Sequence, residues 1–339
     1  MNYKLLFPVL MLLLSACGGS RYVDMDGYAQ GGTYHIRCAV PLRHQPAKVQ
    51  EAVDAALLRI DKSISGYNQG SLLSAFNRGA KIEPDGCFKD IFNRSKAVWS
   101  ISEGAFDPSA APLFDIWGFG FQNGSNPDQA AIDSVMEFVG MEKIRLENGD
   151  LVKSDVRCKL NFNAIAQGYS CDYVATVLEK FGISDYIIEI GGEIVTRGKS
   201  PRGSAWRIQI DKPDDDNNVA GKMVQDVLSI SDCGVVTSGN YRRFYIKDGK
   251  KYSHTIDPLT GAPVNHQLLS ATVIAKDATA ADAYATWFMV VGTDKAVEIT
   301  LSGKVDDLLG VYLVYAEGDE TKVWHTDGIV LDSQNSVEN

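Results

Sequence analysis

The sequence predicts an α+β fold with mostly antiparallel strands, on three observations. Apolar residues recur at helical spacing in some segments and in strand-like runs in others, and the two kinds alternate irregularly. Asn148-Gly149, set between Lys143–Leu146 and Leu151–Ser154, is a strong hairpin signal. No internal repeat is present.

Taken in order, Thr33–Val40 reads as a strand. Ala47–Ile60 carries Val49, Val53, Ala56, Leu57 and Ile60 at helical spacing, and Phe88–Ile101 repeats the pattern with Ile91, Phe92, Val98 and Trp99. Asp128–Val139 predicts a third helix through Ile132, Val135, Met136 and Val139. After the Asn148-Gly149 hairpin, Gln167–Phe181 reads as a helix, Tyr186–Arg197 as one strand and Trp206–Asp211 as another. Asp214–Asn218 is a polar loop, and Asp248-Gly249 turns a second hairpin that leads to His254. Leu269–Ala275 and Val311–Tyr315 complete the sheet, and the tail from 332 to 339 is expected to be disordered.

The N-terminus has a short basic start ending at Lys4 and an apolar run from Leu5 to Leu14, too short to span a membrane. It ends in Leu14-Ser15-Ala16-Cys17, which resembles a bacterial lipobox. On that reading residues 1–16 are a signal peptide, Cys17 is lipidated, 17–27 form a tether and 28–331 the domain. The expected location is the periplasmic side of a bacterial envelope, with the inner membrane favoured and the lipid as the anchor. No later run reaches about 20 apolar residues. A formal charge of −10 without a Lys/Arg cluster gives no footprint for nucleic acid. Cys38, Cys87, Cys158, Cys171 and Cys233 remain beside Cys17, and without a CxxC they argue against zinc or thioredoxin-like chemistry; one or two disulfides are compatible with them.

The densest chemical signal is Ser253–Gly261, SHTIDPLTG, followed by ATAADAYATWF. Asp282 and Thr286 share one helix face, while Ala280, Tyr284, Trp287, Phe288 and Val291 mark another. The first face is either a pair of hard oxygen ligands suited to Mg2+ or an ordinary solvated surface. Ile190-Gly191-Gly192-Glu193 ends an apolar strand with glycines that admit either a ligand or a plain bulge. Gly104–Leu113 with Trp117-Gly118-Phe119-Gly120 suits covering a flat ring or packing, and Thr237–Arg242 adds hydroxyl, glycine and arginine groups after a strand.

Together and in this order these segments resemble the ApbE family, the FAD:protein FMN transferases, from about Tyr28 to Ile329. The matching pieces are Gly32-Thr33, Ser65-Gly66-Tyr67 before Ser71 and Phe76-Asn77, GAFDPSAAPL with WGFG, Asn163–Tyr169 with Asp172, IGGE, TSGNYRR, SHTIDPLTG and ADAYAT. The resemblance implies the ApbE-like α+β fold, FAD as donor and Mg2+ as the metal. It implies an acceptor threonine on a target flavoprotein, such as a subunit of a redox-driven ion pump. It puts Mg2+ on Asp282, Thr286 and the carbonyl of Ala164. Tyr67 and Ala105-Phe106-Asp107 would contact FAD, Gln167 would lie near the nucleotide, and Gly191, Gly192, Ser238 and His254 belong to matching segments expected at the flavin site. Asn161 departs from the family, which usually has aspartate there; an amide still hydrogen-bonds but brings no charge.

The implied reaction is attack of a threonine hydroxyl on the FMN-side phosphorus of FAD, with AMP leaving. It needs positioning, neutralisation of oxygen charge and a base near neutral pKa. His254 is the candidate base, or else the residue that orders the Asp257 turn. Two further readings share these motifs: hydrolysis of FAD to FMN and AMP, and a non-catalytic flavin-binding lipoprotein.

Overall fold

A computed structural model describes residues 19–120, 127–213, 222–240, 244–247 and 250–332. The signal peptide, Cys17, the Asp214–Asn218 loop, the Asp248-Gly249 turn and residues 333–339 of the expected tail lie outside them. The chain opens with β1 (Ser20–Ala29) and β2 (Gly32–Pro41), an antiparallel pair. The expected tether is therefore sheet from Ser20 onward; its polar residues, such as Asp24 and Asp26, face out while Met25 is buried.

Helix α1 (Pro46–Ile64) starts with Pro at its first turn and buries Val49, Val53, Leu57 and Ile60. Then come α2 (Leu72–Asn77), α3 (Gly86–Ile101), α4 (Ala111–Trp117) and α5 (Gln129–Met136). Ser71, Asp85 and Asp128 cap α2, α3 and α5 by accepting from the amides of Ser74, Phe88 and Ala131. The Asn148-Gly149 turn joins β3 (Ile144–Glu147) to β4 (Asp150–Lys153), with positive φ at both turn residues. Helix α6 (Ala166–Lys180) precedes β5 (Tyr186–Ile190) and β6 (Glu193–Arg197). The expected single strand Tyr186–Arg197 is thus a hairpin, turned at Gly191-Gly192 with φ of 69° and 111°.

The remainder comprises β7 (Trp206–Asp211), β8 (Val224–Ile230), β9 (Cys233–Gly239), β10 (Phe244–Lys247), β11 (Lys250–Ser253), β12 (Ile256–Asp257), β13 (Ala262–Pro263), β14 (Leu268–Ala275), α7 (Ala278–Val291), α8 (Thr293–Ser302), β15 (Leu308–Glu317) and β16 (Glu320–His325). Asp332 is held, not loose: its N–H donates to Val227 O at 2.8 Å and its carboxylate pairs with Arg207 at 2.6 Å.

The main sheet has 8 strands in the order β1-β2-β5-β6-β9-β14-β15-β16, every neighbour antiparallel. Its middle is buried on both faces. Ala271, Val273, Val311 and Leu313 join one core with α3, α6 and α7, whereas Ile274, Tyr312 and Val314 pack with Ile208, Ile210 and Leu228 of the β7–β8 ribbon. Helices α1 and α6 cover β2 and β5 through Val49, Val53, Val174 and Leu178 against Ile36, Cys38 and Ile188. Helix α7 is consequently enclosed almost all round, with Ala281, Asp282, Ala283, Tyr284, Ala285 and Phe288 buried. The solvated helix face open to the sequence reading does not exist there. Cys38, Cys87, Cys158, Cys171 and Cys233 are all buried and unbridged.

Candidate active site

A cavity of about 340 Å³ opens where the end of β9, the N-terminal approach to α6 and the middle of α7 meet. Asn161, Asn163, Ala164 and Gln167 form one side, and Thr237, Ser238 and Gly239 another. Asp282, Thr286, Met289 and Val290 come from α7. Ala105, Phe106, Asp107 and Pro108 line the wall together with Phe114 and Phe119, and His254, Thr255, Ile256 and Pro258 complete it. Polar groups from the approach to α6 and the middle of α7 thus face one cavity with Phe106, Phe114 and Phe119, an arrangement suited to a ligand with a ring at one end and charge at the other.

Local hydrogen bonds fix these segments. Asn77 clamps Leu160 through both backbone groups at 2.8 Å, which accounts for the Phe76-Asn77 pair in the sequence. Asn161 N–H donates to Pro108 O at 2.8 Å, and its side-chain oxygen accepts from Asn163 N–H at 2.9 Å. Asp107 accepts from the amide and the hydroxyl of Ser109, starting a short helical turn. Burial pushes the Asp107 carboxyl up to about 6, against the lowering effect of those bonds. Asp257 accepts from Leu259 N–H at 2.9 Å and from the Thr260 hydroxyl at 3.0 Å. The His254 ring is half-buried, lines the cavity and lies edge-on to Phe119 at 6.5 Å between centroids.

Helices α6 and α7 meet at glycine. A Cβ on Gly168 would lie 2.2 Å from Ala278 O and 2.8 Å from Asp282 Cβ. This closeness lets Asp282 accept from Gly168 N–H at 3.0 Å. Asp282 is 4% exposed, and burial raises its carboxyl well above the usual range, with the Asp172 charge adding to the rise. Among the described residues no Lys, Arg or His pairs with it. A buried carboxylate lacking a cationic partner is costly, and a cation in the cavity would restore its charge.

These residues fit a divalent cation of the Mg2+ type: Asp282 and Thr286 bring hard side-chain oxygens to one cavity, whose wall Ala164 also lines. No cluster of three His, Cys, Asp or Glu side chains able to hold a metal occurs among the described residues. Mg2+ seldom uses a cage built of protein alone.

Of the expected site residues, Ala105, Phe106, Asp107, Asn161, Ala164, Gln167, Ser238, His254, Asp282 and Thr286 all lie in this wall. Tyr67 lies at its margin, exposed, with its hydroxyl accepting from Asn163 Nδ2 at 3.1 Å. Gly191 and Gly192 do not line it. They turn the β5–β6 hairpin, and Gly191 receives the Gln167 amide, whose Nε2 would stand 2.0 Å from a Cβ there. The wall also contains Glu193, Asn163, Thr237 and Phe119, to which the sequence reading gave no individual role. Glu193 and Phe119 stood in the quoted IGGE and WGFG segments, so their signal was present.

The fold and cavity define a class of α+β protein with a charged, helix-ended pocket beside an aromatic wall, and comparison gives that class its family. Residues 30–308 match the ApbE family. The chain is 35% identical over 287 residues to the Escherichia coli FAD:protein FMN transferase, covering 82% of this chain and 80% of that one. It is 32% identical to the Vibrio cholerae FAD:protein FMN transferase, over 91% and 93% of the two chains. The solved flavin transferase ApbE from Vibrio cholerae superposes with a TM-score of 0.80 at 28% identity, over 91% of this chain and 98% of that one. For the apo form of the Pseudomonas stutzeri flavinyl transferase ApbE the TM-score is 0.81 at 30% identity, over 91% and 96%. The chain belongs to the ApbE family.

Proposed function

We propose that this protein is an FAD:protein FMN transferase that moves FMN from FAD onto a threonine hydroxyl of a target flavoprotein and releases AMP. The observation that carries this reading is the buried Asp282 carboxylate, set beside Thr286 and Ala164 at the approach to α6 and facing an aromatic wall. The names of the relatives support the same reaction class. Asp282, Thr286 and the Ala164 carbonyl would hold Mg2+. That ion would neutralise charge on the pyrophosphate oxygens. Gln167, in the first turn of α6, lines the same cavity. Phe106 and Phe119 would border the isoalloxazine ring.

The acceptor oxygen forms a bond to the FMN-side phosphorus as the bond to the AMP oxygen breaks. His254 takes the hydroxyl proton. We further propose that Cys17 is lipidated and holds the enzyme at the periplasmic face of the inner membrane, where flavoprotein subunits of redox-driven ion pumps would be its acceptors. The lipobox-like Leu14–Cys17 segment supports this placement. The test is incubation of the purified protein with FAD and a candidate acceptor domain, with and without Mg2+. AMP release matched by flavin covalently attached to the acceptor supports transfer. AMP and free FMN in equal amounts, unaffected by the acceptor, would show hydrolysis instead. No AMP under any condition would leave a flavin-binding protein only.

A further inference from the structure

We propose that Asp172, which does not line the cavity, is the positioning residue that sets α7 at the axial height where Asp282 and Thr286 face a bound divalent cation. This rests on the reading that Asp282 holds such a cation.

Helices α6 and α7 cap one another. Asp172, on α6, accepts from Ala278 N–H at 3.0 Å and from Thr279 N–H at 2.8 Å, and the Thr279 hydroxyl also donates to it. Those amides belong to the first turn of α7 and have no partner within the helix. Asp282, on α7, accepts in return from Gly168 N–H in the first turn of α6. The arrangement is reciprocal: Gly168 and Asp172 are one turn apart on α6, as are Ala278 and Asp282 on α7. The two contact points meet where Gly168 presses on Ala278 O. Asp277 caps α7 separately, through Ala280 N–H at 2.8 Å, and is itself held by Arg94 at 2.9 Å.

A slide of α7 by one residue, about 1.5 Å along its axis, would break both carboxylate bonds together. With both in place only one register is open. That register directs the second oxygen of Asp282, and Thr286 one turn further on, toward the cavity. Groups that orient metal ligands from behind commonly change metal affinity by about 10–100-fold when lost.

The test uses Mn2+ alone as probe, its binding to the full chain read by electron paramagnetic resonance, beside thermal unfolding. Asp282→Ala should abolish the high-affinity signal. Asp172→Ala should weaken Mn2+ binding by roughly 10–100-fold, and Asp172→Asn, which keeps one acceptor, should fall between. Asp85→Ala provides the comparison: it removes the cap of α3 and lowers thermal stability without touching α6 or α7, so Mn2+ affinity should hold. An Asp172→Ala protein that loses stability but binds Mn2+ like Asp85→Ala would overturn the proposal. Should Asp172→Ala fail to fold, Thr279→Val removes one bond of the clamp and should weaken Mn2+ roughly 5-fold, the equivalent of one hydrogen bond; unchanged affinity there counts equally against it. Normal Mn2+ binding by Asp282→Ala would instead sink the metal reading, and this inference with it.

Discussion

At the scale of single residues the cavity makes sharp demands. Asp282→Ala removes a buried carboxylate beside the expected pyrophosphate, so FMN transfer should fall by orders of magnitude while circular dichroism stays native. Near-normal transfer by that variant would end its assignment. His254→Ala should slow transfer by roughly 10²–10⁴-fold with little change in FAD affinity, and the wild-type rate should rise with pH through a group near neutrality. A normal maximal rate with altered FAD binding would make His254 a binding residue. Asn161→Asp preserves the acceptor that holds Asn163 N–H, so the turn survives; if the position faces the metal, half-maximal Mg2+ should shift to lower concentration. Asp107 offers a stability test. Its folded pKa of about 6 lies above the 3.8 of an ordinary aspartate, so the native state holds the proton more tightly than the unfolded chain. The resulting penalty is absent below the unfolded value, sets in as pH rises and is complete above the folded value. Asp107→Asn should therefore gain about 1–3 kcal/mol over the wild type between pH 4 and pH 7.5. Parallel stability curves for the two proteins would contradict it.

At the scale of elements, legibility followed solvation. Helices α1, α3 and α5 each keep one wet face, so their period showed in the sequence, and Asn148-Gly149 named its own hairpin. The β5–β6 hairpin escaped because Tyr186–Ile190 and Ile194–Val195 are apolar on both sides of the turn, and Gly191-Gly192 then reads as an interruption within one strand. Strand β1 escaped for the opposite reason: Asp24 and Asp26 at a sheet edge look like tether. For α7, spacing correctly put Asp282 and Thr286 on one face but could not reveal that this face is covered by another helix, because the cover comes from residues more than a hundred positions earlier. The α6–α7 contact can be tested directly. Gly168→Ala must push α6 away from Ala278 O of α7, and should cost roughly 1–3 kcal/mol of stability, with transfer lost out of proportion. A variant as stable and active as the wild type would mean the helices separate more easily than this packing implies.

At the scale of the whole molecule, mostly antiparallel strands with packed helices were foreseeable as a class but not as an order of strands, which depends on pairings between distant segments. The cysteines show the same limit: their number left disulfides open, whereas their burial leaves all five as thiols. Burial pushes the Cys38 thiol up to about 12 and that of Cys233 to about 11, so neither is a thiolate at neutral pH. A reductant should leave the unfolding midpoint unchanged, and the native protein should resist iodoacetamide; a drop in the midpoint would reveal a bridge. Cys17→Ser should leave the protein in the soluble fraction, and unchanged membrane association would count against lipidation.

Leu42 N–H donates to Gly19 O at 2.9 Å, so the ordered body begins almost as soon as a lipid at Cys17 would end. Two residue steps give a leash of about 7 Å at full stretch. If Cys17 is lipidated, an enzyme on so short a leash would not sample the compartment: it would skim the bilayer, with the start of β1 close to the headgroups. Its search for acceptors would then become two-dimensional, and a hydroxyl carried by a membrane-embedded partner would be met far more often than the same hydroxyl on a freely diffusing protein. Cutting the leash should therefore slow modification of membrane-bound acceptors while leaving the rate on a detached acceptor domain unchanged. Inserting a long Gly/Ser spacer after Gly19 should partly relieve any dependence on the acceptor's height above the bilayer.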